Sequence, residues 1–292
     1  MLNLFSRFHR LLAILGSVFF ISSSNVASAQ DDLSVLHYVP NFLSLDYSKD
    51  NDHGKAFFLY ANLGITTEDR LLLGIGKQDE TVTGSEENLD NKTFLLGYNY
   101  MPHYRSQIGA EYERWGDSSK VDIDSLRIVL AFNTGDFAVT VTPEYRKINV
   151  NNSSSCDETI ESGSARIDLS IDLSSEYSLN AGYVSYDYNN NLTEMANCVS
   201  NSEQLSVESR IDSVANDREV SIGLDYYIDS ETYGGSFLQA KTALNNLSYR
   251  SLSFFASTDK FDDWTLRISS SISKNTDDSS TITVSGSITY YW

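Results

Sequence analysis

The chain has 292 residues, with 40 acidic against 21 basic side chains and a net charge of −19. That balance argues against a nucleic-acid partner, whose phosphates demand a basic face. Three prolines leave no Pro-rich linker, and 18 tyrosines among abundant serine, threonine, asparagine and aspartate favour strands and turns, so the composition is that of an all-β protein.

The first thirty residues, MLNLFSRFHRLLAILGSVFFISSSNVASAQ, carry Arg7 and Arg10, then an apolar run from Leu11 to Ile21, then Ala27 and Ala29 before Gln30. This is the layout of a secretory signal with an Ala-x-Ala cleavage site. A cleaved signal peptide is therefore expected over residues 1–29 and a mature chain over 30–292. The apolar run is shorter than the roughly 20 residues that span a bilayer as a helix, which makes a membrane anchor the weaker reading. No cysteine stands at the cleavage point, so lipidation is not indicated.

Along the mature chain the dominant pattern has period two. NFLSLDYS (41–48) is a plausible first strand, followed by 57–65, 70–77, 93–101, 106–115, 125–133, 137–146, 165–173 and 177–186. The pattern continues in QLSVESRID (204–212), 219–228, 250–257, 264–272 and TITVSGSITYYW (281–292), about fourteen strands in all, within a range of 12 to 16. In ARIDLSIDL, Ala165, Ile167, Leu169, Ile171 and Leu173 share one face and Arg166, Asp168, Ser170 and Asp172 the other. A soluble barrel with an apolar interior shows the same alternation, so loop lengths have to decide which face points inward.

The connections at 66–69, 102–105, 134–136, 174–176, 213–218 and 258–263 are short, and those at 79–91, 151–163, 189–203 and 229–249 are long. Alternating short and long connections predict an up-and-down antiparallel transmembrane β-barrel with tight turns on one side and larger loops on the other. GGSFLQAKTALNN (234–246) would make a fifteenth strand, and assigning it to an outer loop keeps the count even. On the inferred outward face, Tyr100, Phe132, Phe137, Tyr177, Trp264, Tyr290 and Trp292 fall near the short-turn end, and Tyr47, Phe57, Tyr112, Tyr145 and Tyr226 near the long-loop end. Two aromatic girdles result, as bilayer interfaces favour.

These features resemble the outer-membrane β-barrel proteins of Gram-negative bacteria, and the strand count and lack of a large plug resemble the smaller monomeric porins. The most specific element is TITVSGSITYYW, in which Ile282, Val284, Gly286, Ile288, Tyr290 and Trp292 share the lipid-facing side. Members of that family commonly end on an aromatic read by the barrel-assembly machinery. The resemblance therefore implies that Gly286, Ile288, Tyr290 and Trp292 form an assembly signal, with tryptophan where phenylalanine is more usual and the glycine one place early. It further implies a monomer in an outer membrane of lipid and lipopolysaccharide, passing small hydrophilic solutes and needing no cofactor.

Cys156 and Cys198 both fall in the long connections, and in an oxidising compartment such a pair is expected to form a disulfide. It would close a span of 42 residues, which the chain-entropy argument values at about 4 kcal/mol. No histidine accompanies them, so no metal site is indicated.

The face opposite the lipid side carries Glu111, Glu113, Arg127, Glu144, Arg146, Arg166, Asp168, Asp172, Glu208, Arg210, Asp212, Asp225 and Arg267. A water-filled lumen tolerates such charges, which are expected both to set selectivity and to prop the wall as ion pairs. Arg127, Arg146 and Arg166, from three consecutive strands, would form a basic ladder facing acids across the lumen. Eight acids to five bases on this face predict mild cation preference.

Catalysis finds little support, since His37, His53 and His103 share no strand with a candidate serine nucleophile. His53 beside Asp52 is the one external hint of a hydrolase. The expected function is a channel for passive diffusion of small hydrophilic solutes or ions. The alternative is a closed barrel whose acidic loops bind a partner at the surface.

Overall fold

The computed structural model describes residues 40–51, 54–81, 88–103, 105–117, 121–152, 156–189, 215–243, 248–261, 263–275 and 280–292. They form fourteen strands: β1 (Phe42–Asp50), β2 (Lys55–Gly64), β3 (Asp69–Thr81), β4 (Asn88–His103), β5 (Ser106–Asp117), β6 (Val121–Asn133), β7 (Phe137–Asn152), β8 (Cys156–Asp172), β9 (Tyr177–Tyr188), β10 (Asn216–Ile228), β11 (Glu231–Thr242), β12 (Ser248–Phe261), β13 (Trp264–Asn275) and β14 (Ser280–Tyr291). Each strand pairs antiparallel with the next and β14 closes on β1, so the sheet has no open edge. In hydrocarbon that closure is obligatory, because unpaired backbone N–H and C=O groups have no water to satisfy them.

The period-two pattern becomes two opposed surfaces. On β1, Ser44, Asp46, Ser48 and Asp50 are buried inside the barrel while Leu43, Leu45 and Tyr47 are exposed outside. Outward apolar side chains continue around the wall, with Phe94 and Leu96 on β4, Leu126, Ile128 and Leu130 on β6, Ile167, Leu169 and Ile171 on β8, Val220, Ile222 and Leu224 on β10, and Ile282, Val284 and Ile288 on β14. An apolar belt of this extent around a polar interior is stable in lipid, where the usual penalty for exposed hydrocarbon is absent.

The turns at one end are short, and local chemistry closes them. Between β6 and β7, the Gly135 N–H donates to Asn133 Oδ1 at 2.6 Å, and Gly135 adopts a left-handed φ of 105°. Between β10 and β11 only Asp229 and Ser230 intervene, and Asp229 takes φ 51°. Two-residue hairpins favour positive φ in this way because the turn then follows the twist of the strands.

Several expectations change. GGSFLQAKT is strand β11, paired with β10 and β12 over its whole length, and not an outer loop. QLSVESRID (204–212) lies outside the described residues, and β9 pairs directly with β10, so the closed sheet runs from one to the other without it. The short turn expected at 213–218 is accordingly at 229–230. This turns β10 around, and Tyr226 sits at the short-turn end, opposite Tyr177 with ring centroids 4.9 Å apart. The expected long connections at 79–91 and 151–163 are largely strand, since β3 reaches Thr81, β4 starts at Asn88, β7 reaches Asn152 and β8 starts at Cys156.

Those extensions carry a reversal of phase. Low on β6 the outward residues are Leu126, Ile128 and Leu130; higher up, Val121 and Ile123 turn inward and Asp124 faces out. The same switch places Trp115, Ile123, Ile148 and Ile160 side by side in one inward row across β5 to β8, every one of them buried. A wall that is apolar outside and polar inside belongs in lipid. The opposite arrangement belongs in water, so the reversal marks the level at which the strands leave the membrane.

Candidate functional site: the polar lumen

Two different polar surfaces line the interior. The charged one spans β5 to β10. Arg127 on β6 reaches Glu111 and Glu113 on β5 and Glu144 on β7, with Nη1 to Glu111 Oε2 at 3.4 Å and Nε to Glu144 Oε1 at 3.3 Å. Arg146 donates to Glu144 at 3.1 Å and to the Tyr186 hydroxyl at 3.3 Å, and its guanidinium lies 4.7 Å from the centroid of that ring. Arg166 holds Asp168 at 2.8 Å. Glu144 also accepts from Ser164 Oγ at 3.3 Å. A shared carboxylate thus links two arginines from neighbouring strands, and each ion pair neutralises charge next to the wall.

The second surface is hydroxyl-rich and spans β12 to β14 and β1. Ser251, Ser271, Ser273, Thr281, Thr283, Thr289, Ser44 and Ser48 point inward and are buried. Ser269 and Ser285 are 2.5 Å apart, Ser273 donates to Ser251 at 3.2 Å, and Thr289 donates to Ser44 at 3.0 Å across the closing seam. Between the two surfaces, Arg267 lies 3.7 Å from the centroid of Phe255, and Asp225 accepts from Asn180 at 2.9 Å. At the short-turn end an inward aromatic run joins Phe58, Tyr60, Phe42 and Tyr291, with centroid separations of 6.5, 5.5 and 5.9 Å. Beside it, Arg70 donates to Asn62 Oδ1 at 2.7 Å and to the Pro40 carbonyl at 2.9 Å.

Glu111, Glu113, Arg127, Glu144, Arg146, Arg166, Asp168, Asp172, Asp225 and Arg267 all occupy inward register positions. Glu208, Arg210 and Asp212 lie outside the described residues. The acids paired with Arg127, Arg146 and Arg166 stand on the same or adjacent strands, whereas the ladder was expected to face acids across the lumen. Cross-strand neighbours are only about 5 Å apart, well within reach of an arginine. The sequence reading missed the hydroxyl wall, Asp46, Arg70 and the inward tyrosines. The alternating serines of RSLSFF and RISSSIS were its visible signal.

Cys156 begins β8, and Cys198 and His53 lie outside the described residues. His103 is exposed at the turn after β4, where its Nδ1 accepts from the Arg105 N–H at 3.2 Å. Ile288 on β14 and Trp292 just after it face outward and exposed, and Tyr290 stacks against Trp292 at 5.8 Å and meets the tilted ring of Trp264 on β13 at 4.6 Å.

No protein-family model matches the chain, and no curated protein matches it in sequence. Solved structures do. The CymD monoaromatic hydrocarbon channel is 13% identical with a TM-score of 0.51, covering 86% of this chain and 88% of its own. A loop-deleted OmpT, an outer membrane protein of Vibrio cholerae, is 10% identical with a TM-score of 0.47 over 86% of this chain and 97% of its own. OpdK of Pseudomonas aeruginosa, crystallised with vanillate, is 9% identical with a TM-score of 0.43 over the same shares. The likeness to the first is one of fold: both chains are closed β-barrels.

Proposed function

We propose that the protein is an outer-membrane channel for passive diffusion of small hydrophilic solutes or ions. The observation that carries this reading is the opposition of surfaces on one closed sheet, apolar and aromatic outside, charged and hydroxylated inside. Side chains that prefer water line the axis, and those that prefer lipid face away from it. Glu111, Glu113, Arg127, Glu144, Arg146, Arg166, Asp168, Asp172, Asp225 and Arg267 would contact the transported solute, together with Glu208, Arg210 and Asp212 if their segment reaches the axis. Inward carboxylates outnumber inward arginines, which favours cations.

The accessory features belong to the same reading. The signal peptide is removed after Ala29, Cys156 at the start of β8 pairs with Cys198 as a disulfide, and the strand carrying Gly286, Ile288, Tyr290 and Trp292 is recognised by the barrel-assembly machinery. The barrel functions as a monomer and has no catalytic centre. Conductance of the purified, folded barrel in a planar lipid bilayer tests the central claim. Discrete ion-conducting steps are expected, and a correctly folded barrel that passes no current overturns it.

A further inference from the structure

One sector of the inner wall is built differently from the rest. On β2 and β14 no inward position carries a charge, and β1 between them contributes only Asp46 and Asp50. Into that sector the sequence puts rings. Phe42, Phe58, Tyr60 and Tyr291 face the axis, half-buried, in a run whose neighbouring centroids are 5.5 to 6.5 Å apart. A phenylalanine is more stable on the lipid side of such a strand, where Leu43 and Phe57 stand, than against a water-filled lumen. Packing of the wall alone therefore does not account for the two inward phenylalanines.

Phe58 is also held flat. Gly74 and Gly76 on β3 lie beneath it, and a Cβ would come within 2.8 Å of Phe58 Cζ at the first and 2.5 Å of Cδ2 at the second. Two bare backbone positions thus let one ring rest against the wall and turn its other face to the axis. Tyr60 lies nearly parallel to it, at 19°. Directly opposite Phe58 in the ladder stands Asp46, buried, with Ser287 beside it and Arg267 within electrostatic reach. Asp46 Oδ1 and the buried Ser48 hydroxyl one step further along β1 have no hydrogen-bond partner. Buried polar atoms are normally satisfied, so this pair calls for a partner that a ligand would bring.

Flat rings beside a carboxylate and hydroxyls suit a solute with C–H faces and O–H edges. We propose that this sector is a binding track for neutral oligosaccharides, whose pyranose rings stack on Phe58, Tyr60, Phe42 and Tyr291 while their hydroxyls bond to Asp46 and Ser48. The C–H groups of a sugar face are drawn to the negative face of an aromatic ring. Hydrogen bonds from its hydroxyls to a carboxylate are of the stronger, charge-assisted kind. The run descends from Phe58 to Tyr291 at the short-turn mouth, so a bound chain lies along the direction of transit. The inference names a substrate class for the channel and rests on that reading.

The test titrates the folded barrel with cellotriose in lauryldimethylamine oxide, a detergent without sugar or aromatic protons, and reads saturation-transfer difference NMR with irradiation of the protein's aromatic protons. Saturation should reach the ring C–H protons of the sugar. Phe58→Leu should bind roughly tenfold more weakly, which corresponds to about 1.4 kcal/mol. Phe58→Tyr should retain binding, and Phe57→Leu, on the lipid side of the same strand, should bind as wild type does.

A folded barrel that transfers no saturation to cellotriose, or a Phe58→Leu barrel that binds as tightly as wild type, overturns the proposal. Should Phe58→Leu fail to fold, Phe42→Leu decides instead: a comparable loss is expected, and unchanged binding overturns the proposal. Binding is read without ion current, and conductance is recorded on the same preparations. A barrel that conducts but does not bind cellotriose sinks this inference alone, whereas one that binds it and passes no current sinks the channel reading.

Discussion

Arg127 and Glu144, on adjacent strands β6 and β7, lie directly opposite each other in the ladder and are joined on the inner face at 3.3 Å. The same guanidinium engages Glu111 and Glu113, so one side chain serves three carboxylates. Replacing Arg127 with Ala should therefore leave a knot of uncompensated negative charge. The cost should be about 1–3 kcal/mol, moderated by water in the lumen. The folded barrel's heat-induced mobility shift on a gel should move to lower temperature, and reversal potentials in a salt gradient should shift toward stronger cation selectivity.

The hairpin between β10 and β11 offers a cleaner stability test. Asp229 occupies a left-handed conformation with φ 51°, which glycine adopts without the steric cost borne by other residues. Asp229→Gly should leave the barrel equally stable or more stable by up to about 1 kcal/mol, and Asp229→Val should lose about 1–2 kcal/mol. Urea unfolding in lipid vesicles would report both changes, and neither should alter conductance.

That hairpin also marks where sequence reading reached its limit. The alternation of ARIDLSIDL translates directly into β8, because a wall with lipid on one side and water on the other enforces period two. In β11 the pattern is faint: Gly234, Gly235 and Ser236 contribute almost no hydropathy contrast, and outward Gln239 and Lys241 already stand above the apolar belt. QLSVESRID shows alternation without a place between β9 and β10. The two misassignments cancelled in the count of fourteen strands and survived only in details such as the end at which Tyr226 lies. The inward charges were legible because their spacing is local, but their partners were not, since pairing depends on registers between strands.

Gly234 explains a further constraint on β11. It faces inward between Asp225 and Phe255, and a Cβ there would overlap both the ring of Phe255 and the Asp225 carboxylate. The bare backbone lets that ring lie flat against the wall beneath Arg267. Gly234→Ala should lift Phe255 and Arg267 into the lumen, destabilise the barrel by about 1–3 kcal/mol, and lower single-channel conductance. Gly163→Ala, where nothing lies within 4 Å of the added carbon and the backbone is not left-handed, should leave stability and conductance unchanged.

Trp292 should matter for assembly more than for transport. The Trp292 N–H donates to the Asn41 carbonyl at 3.1 Å, and its ring continues the outward stack through Tyr290 to Trp264. Trp292→Ala should sharply reduce the amount of folded barrel in the membrane fraction. Molecules that do insert should conduct as wild type does, because the ring faces away from the axis.

The phase reversal on β5 to β8 has a consequence for how the barrel meets its surroundings. β8 has 17 residues and β7 has 16, whereas β1 has 9 and β2 has 10, a difference of roughly 25 Å of strand. The rim is a slanted collar, tall on one flank and low on the other. Among the described strands the sheet therefore stands highest beside the inward row of Trp115, Ile123, Ile148 and Ile160, and a shortening of β7 and β8 would remove that row before it touched any ion pair below it.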